Sequence, residues 1–94
     1  MVHAVVLVSC EIDAIPEAAA AIADIEGVSE VYSVTGEFDF IAMVRAREHD
    51  ELADIVTRRL AQIPGVARTH THVAFKMYSR HDLESLFAIG ADKP

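Results

Sequence analysis

The chain has 94 residues, 52% of them hydrophobic, and carries a formal net charge of −7 with eight Lys and Arg scattered along it. That leaves room for one domain spanning residues 1–94, and it speaks against direct nucleic-acid binding, which needs a clustered positive surface. No segment approaches the roughly 20 uninterrupted apolar residues of a membrane span, the start Met1-Val2-His3-Ala4 lacks the basic opening of a signal peptide, and the lone Cys10 excludes an internal disulfide. A cytoplasmic protein without membrane contact is expected.

Taken in order, the chain states one plan twice. An apolar stretch (residues 4–8) leads into an alanine-rich helical stretch (16–25), then Ile25-Glu26-Gly27-Val28 and a second strand. An apolar stretch (38–44) leads into a second helical stretch (50–63), then Ile63-Pro64-Gly65-Val66 and a last strand. Gly27 and Gly65 each follow a helical pattern, where a left-handed residue is wanted and glycine adopts it without steric cost. Ala18 to Ala21 and Ala23 favour helix by propensity, with Asp13 and Pro16 near the start, where a cap acceptor and a fixed φ are accommodated. In the second helix Leu52, Ile55, Val56, Leu60 and Ile63 form one stripe, and Asp54, Arg58 and Gln62 lie opposite. A short third helix is expected after Ser79, carrying Leu83, Leu86 and Phe87.

The pattern predicts an α+β fold of the ferredoxin-like βαββαβ kind, a four-stranded antiparallel sheet with both helices on one face. Such a sheet should be apolar on one side only. Here Ala4, Val6 and Val8 point one way while Val5 and Leu7 point the other. Phe38, Phe40, Ala42 and Val44 share a face, yet Ile41 and Met43 occupy the opposite one. Helices cover one side, so a second copy packed sheet against sheet is expected to cover the other. A few hundred Å² of apolar surface buried at about 25 cal/mol per Å² contributes several kcal/mol before association entropy is subtracted.

Few residues point to chemistry. The hairpin Val34-Thr35-Gly36-Glu37-Phe38-Asp39 combines a turn glycine with a carboxylate. It reads as an ordinary turn whose carboxylate accepts backbone hydrogen bonds, or as a loop whose N–H groups and carboxylate hold the two ends of a small zwitterion. The last strand places Thr69, Thr71, Val73, Phe75 and Met77 on one face and Arg68, His70, His72 and Lys76 on the other. His70 and His72 lie about 6.7 Å apart along the strand. With His3 they are a weak metal signal, and a solvent-facing or interface pair is the plainer reading. Cys10 ends an apolar strand and reads as a structural thiol. No phosphate loop is present, and no cofactor is implied.

At the hairpin the sequence resembles a known family. The order Ile-x-Gly-Val, Val34-Thr35-Gly36-Glu37-Phe38-Asp39, Ile63-Pro64-Gly65-Val66 and Arg68-Thr69-His70-Thr71 is similar to the effector-binding domain of Lrp/AsnC regulators (the regulation-of-amino-acid-metabolism, or RAM, domain), over residues 2–79. With the first strand starting at the N-terminus, the similarity is to stand-alone members lacking a helix-turn-helix. The resemblance implies a homodimer, assembly into rings of dimers, and an amino-acid effector. It also implies a site built from Gly36, Glu37, Phe38 and Asp39, with Thr69 and Thr71 from the last strand. A sensor of this kind is expected to act on a full-length Lrp/AsnC regulator by co-assembly, or on another partner. Two other readings stay open at this point. One is a dimeric α+β-barrel enzyme, a cofactor-independent monooxygenase or haem-degrading protein using His70, His72 or Tyr78, for which an aromatic content of 6% is sparse. The other is a purely structural subunit.

Overall fold

The computed structural model describes residues 1–78 and Arg80; the helix expected after Ser79 lies outside them. The elements run β1 (Val2–Cys10), α1 (Ile15–Ala23), β2 (Val28–Ser33), β3 (Phe40–Ala46), α2 (opening with His49–Asp54) and β4 (Val66–Val73). The strands form one four-stranded sheet in the order β2-β3-β1-β4, antiparallel throughout. This is the α+β ferredoxin-like arrangement.

Alternation along the two central strands seats both helices on one side. Ala4, Val6, Val8 and Cys10 of β1 and Phe40, Ala42, Val44 and Ala46 of β3 are buried together with Ala18 and Ile22 of α1 and Leu52, Ile55, Val56 and Leu60 of α2. Each large side chain fully buried here contributes roughly 1.5–3 kcal/mol, so the helices are held by this face. On the opposite face Val5, Leu7, Ile41 and Met43 are only half-buried. Among the described residues no helix packs over them.

Both helices differ in detail from the sequence expectation. A 3-10 turn, Ile12–Ala14, holds Asp13, which makes no cap; α1 begins behind Ala14, without a side-chain cap bond, and Pro16 stands in its first turn. The second helix starts at His49, widens into a π-helical stretch (Ile55–Arg59), where the Leu60 N–H donates to the Ile55 carbonyl, and tightens into a 3-10 turn (Leu60–Gln62). Pro64 then pushes Ile63 into the extended region and ends it.

β3 begins at Phe40 rather than Phe38, which moves Phe38 off the core face and into a loop over residues 34–39, closed by a Val34 N–H to Asp39 carbonyl bond of 3.0 Å. The strands also carry two irregularities, one between Val28 and Glu30 and one between Ser9 and Cys10.

The two post-helix glycines behave as expected, with φ of 101° at Gly27 and 94° at Gly65. Each also clasps the other half of the chain. The Gly27 carbonyl accepts from the Arg45 N–H at 2.7 Å, and the Gly65 carbonyl accepts from the Glu11 N–H at 2.8 Å. A Cβ on Gly27 meets Ile55 Cδ1 at 2.6 Å and the Arg45 carbonyl oxygen at 3.1 Å, and one on Gly65 runs into the Ala14 side chain. Backbone strain and collision therefore add. Gly65→Ala is expected to lower the unfolding free energy by about 2 kcal/mol or more, read as a drop in the urea midpoint at unchanged slope. A midpoint within error of the parent shows that the clasp tolerates a side chain.

Candidate functional site

The loop between β2 and β3 is anchored by Asp39. Its Oδ2 accepts the Cys10 N–H at 2.7 Å, and its own N–H donates to the Val8 carbonyl at 2.8 Å. The side-chain bond sits where β1 shifts register, so the carboxylate satisfies a backbone donor that the strand ladder releases there. The turn reading of this carboxylate is thus met in the structure. It fixes the loop geometry on which any binding role depends.

Beyond Asp39 the loop folds toward the helix-free face. The Phe38 ring meets His70 edge-on at 5.1 Å between centroids, and the Arg68 guanidinium lies 5.4 Å from the Phe38 centroid. Arg68 also pairs with Glu37, Nη2 to Oε1 at 3.7 Å. That pair is largely exposed, so it is worth little as stability; its use is to set charges of both signs beside one turn. Gly36 has φ of 108° and nothing within 4 Å of where a Cβ would stand, so the space above the turn is open.

The structure brings Gly36, Glu37, Phe38 and Asp39 together, but it does not bring Thr69 and Thr71 to the same face. Thr69 pairs with Val8 and Thr71 with Val6, both of which point at the helices. Thr71 borders a hollow of about 300 Å³ between β4 and α2, with Leu52, Val56 and Val73. What the sequence did not single out is Arg68. The signal was present, since alternation sets it on the face of His70, but only the strand order carries both to the hairpin.

His70 and His72 lie on the helix-free face, opposite Leu7 and Val5. Among the described residues no group of three His, Cys, Asp or Glu stands close enough to hold a metal ion. A second cleft of about 350 Å³ opens at the other end of this face, between the sheet and residues 74–78, bordered by His3, Glu30, Met43, Arg45, Lys76 and Tyr78. Neither His70 nor His72 borders it. Cys10 is buried, and burial first, the Asp39 carboxylate second, push its thiol above the ordinary value of 9.0.

The fold and hairpin define a small α+β domain of the ferredoxin-like kind, and comparison with known proteins gives its family. The sequence model of the Lrp/AsnC ligand binding domain matches residues 3–83, and the chain belongs to that family. It is 46% identical over 59 residues to an uncharacterized HTH-type transcriptional regulator of Pyrococcus furiosus, a match covering 63% of this chain and 39% of that one. The chain therefore corresponds to well under half the length of that curated relative. A crystal structure of a Thermus thermophilus protein superposes with a TM-score of 0.80 at 41% identity, covering 85% of this chain and all of the other. A feast or famine regulatory protein of M. tuberculosis, solved in complex with L-methionine, superposes with a TM-score of 0.70 at 28% identity, covering 85% of this chain and 54% of that one.

Removing the anchor tests the site's geometry. Asp39→Ala leaves the Cys10 N–H without its partner and is expected to cost about 1–2 kcal/mol of unfolding free energy, read by urea titration. Because the folded thiol is raised, it is less ionised than the unfolded one, and native Cys10 should alkylate far more slowly than the urea-unfolded chain between about pH 7 and 9. Asp39→Ala should narrow that gap. Equal native and unfolded rates contradict the packing described.

Proposed function

We propose that this chain is an effector-sensing domain that takes an amino acid at its hairpin, answers by changing its assembly, and so modulates transcription. The reading rests chiefly on one observation: the loop carries a fixed Asp39 carboxylate and an adjacent Glu37–Arg68 pair beneath open space at Gly36. Charges of both signs beside accessible backbone match the ammonium and carboxylate ends of a free amino acid. The regulators among its relatives, and the methionine complex of one of them, lend support. Gly36, Glu37, Phe38 and Asp39 form the hairpin wall of the pocket. Thr69 and Thr71, which look toward the helices, join it only from the β4 edge, where another subunit completes the enclosure.

The same reading makes the chain a homodimer through its helix-free sheet face, because Val5, Leu7, Ile41 and Met43 are only half-buried there and no helix among the described residues covers them. Ligand bound where subunits meet shifts the equilibrium between dimers and rings of dimers by its differential affinity for the two. With a net charge of −7, the domain acts through a full-length Lrp/AsnC regulator rather than by touching DNA, and it has no catalytic role. The enzyme reading loses ground on geometry, since His70 packs on Phe38 and the cleft bordered by Tyr78 includes neither His70 nor His72.

Screening the standard amino acids by thermal shift and light scattering is the test. At least one is expected to raise the melting temperature or change the particle mass, and Glu37→Gln should weaken that response several-fold. No change in either readout for any amino acid overturns the sensor reading.

A further inference from the structure

Past β4 the chain helps to build the cleft of about 350 Å³ at the end of the sheet remote from the hairpin. The Ala74 N–H donates to the His3 carbonyl at 2.8 Å, and Lys76, Met77 and Tyr78 then border the cleft opposite the start of β1 and the end of β3. Val5 and Met43 give it an apolar floor. His3 and Arg45 are register partners on β1 and β3, so their side chains stand next to each other on the helix-free face. The Lys76 Nζ lies 5.5 Å from the centroid of the Tyr78 ring, a cation–π contact that holds the ammonium at the rim. Among the described residues no carboxylate pairs with Arg45 or Lys76. Glu30 also borders the cleft, but its carboxylate already accepts the Tyr32 hydroxyl.

The cleft is therefore cationic at its rim and apolar below. We propose that it is a second binding site, for a small organic carboxylate with an aliphatic body and no ammonium group. Arg45 offers a carboxylate two parallel N–H donors, and Lys76 adds a point charge. The His3 imidazole and the Tyr78 hydroxyl stand beside them as further hydrogen-bonding groups. The aliphatic body covers Val5, Met43 and Met77, and the volume sits at the small end of ligand pockets, about 300–1,000 Å³. An inorganic anion leaves that floor unused. A free amino acid brings its ammonium against two cations, with a carboxylate that is already hydrogen-bonded to receive it. The cleft is separate from the hairpin, since His3 lies roughly 17 Å along β1 from Val8, whose carbonyl accepts the Asp39 N–H. Every recognition group comes from one chain, so the site does not depend on a second copy.

Methyl NMR of the full chain locates such binding, because Met43 and Met77 border the cleft and neither belongs to the hairpin. The probes are isocaproate, its uncharged amide, leucine (the same carbon skeleton with an ammonium) and inorganic phosphate. Isocaproate is expected to shift both methyl resonances saturably, with a Kd at least about tenfold below that of each other probe at these two methyls. Arg45→Gln should weaken the isocaproate titration about tenfold or more and Lys76→Gln several-fold. Arg58→Gln, an equal loss of charge on the exposed side of α2, should leave it unchanged. Both cleft residues are exposed, and unaltered urea midpoints verify that the variants fold. An amide that titrates as tightly as isocaproate overturns the site, as does full binding in Arg45→Gln or an equal loss in Arg58→Gln. Leucine or phosphate matching isocaproate at these methyls overturns the assigned ligand class. The hairpin reading is judged by the amino-acid screen and is untouched by either result.

Discussion

The structure turns on a pair of neighbouring strands that are apolar on both sides. β1 and β3 lie together in the middle of the sheet, and their residues alternate between a buried set facing the helices and a half-buried set facing away. Two helices supply cover for the first set, and the core closes there with side chains from every element. Among the described residues no helix covers the second. The central strands β1 and β3 are hydrogen-bonded on both sides and incompletely buried on one face, and the most economical remedy is another identical sheet.

At the hairpin one residue serves both a stabilising contact and the proposed binding surface. Asp39 is held by the Cys10 backbone, which fixes where the Gly36 turn and the Phe38 ring lie. Phe38 in turn gives Arg68 and His70 a common surface to pack on. A loop ordered this way loses less entropy when a ligand arrives, because its conformation is set beforehand. In the proposed function the carboxylate serves recognition through this rigidity whether or not it touches the ligand.

Much of this was legible in the residues. The repeat of Ile-x-Gly-Val after each helical stretch located both turns, and the stripe from Leu52 to Leu60 named the buried side of the second helix. The strand alternation placed the open-face apolar residues and histidines correctly. Local pattern failed where the chain leaves regular geometry. Phe38 continues the period of Phe40 on paper, yet β3 starts later and the ring turns to the other side of the sheet. Asp13 has the chemistry of a cap but sits in a 3-10 turn that ends before α1 begins. Arg68 has no local signature of its role, since its partners Glu37 and Phe38 lie some thirty residues away in sequence and meet it only through the strand order.

The order β2-β3-β1-β4 has a consequence for how the molecule comes into being. Every ladder in the sheet joins a strand from the first βαβ repeat to one from the second, and the carbonyls of Gly27 and Gly65 reach across in the same crossed fashion. Neither repeat on its own contains a single strand–strand pairing. Each half is thus a template for its counterpart rather than a miniature of the whole, and folding has to proceed as one interleaving event in which the two repeats order each other.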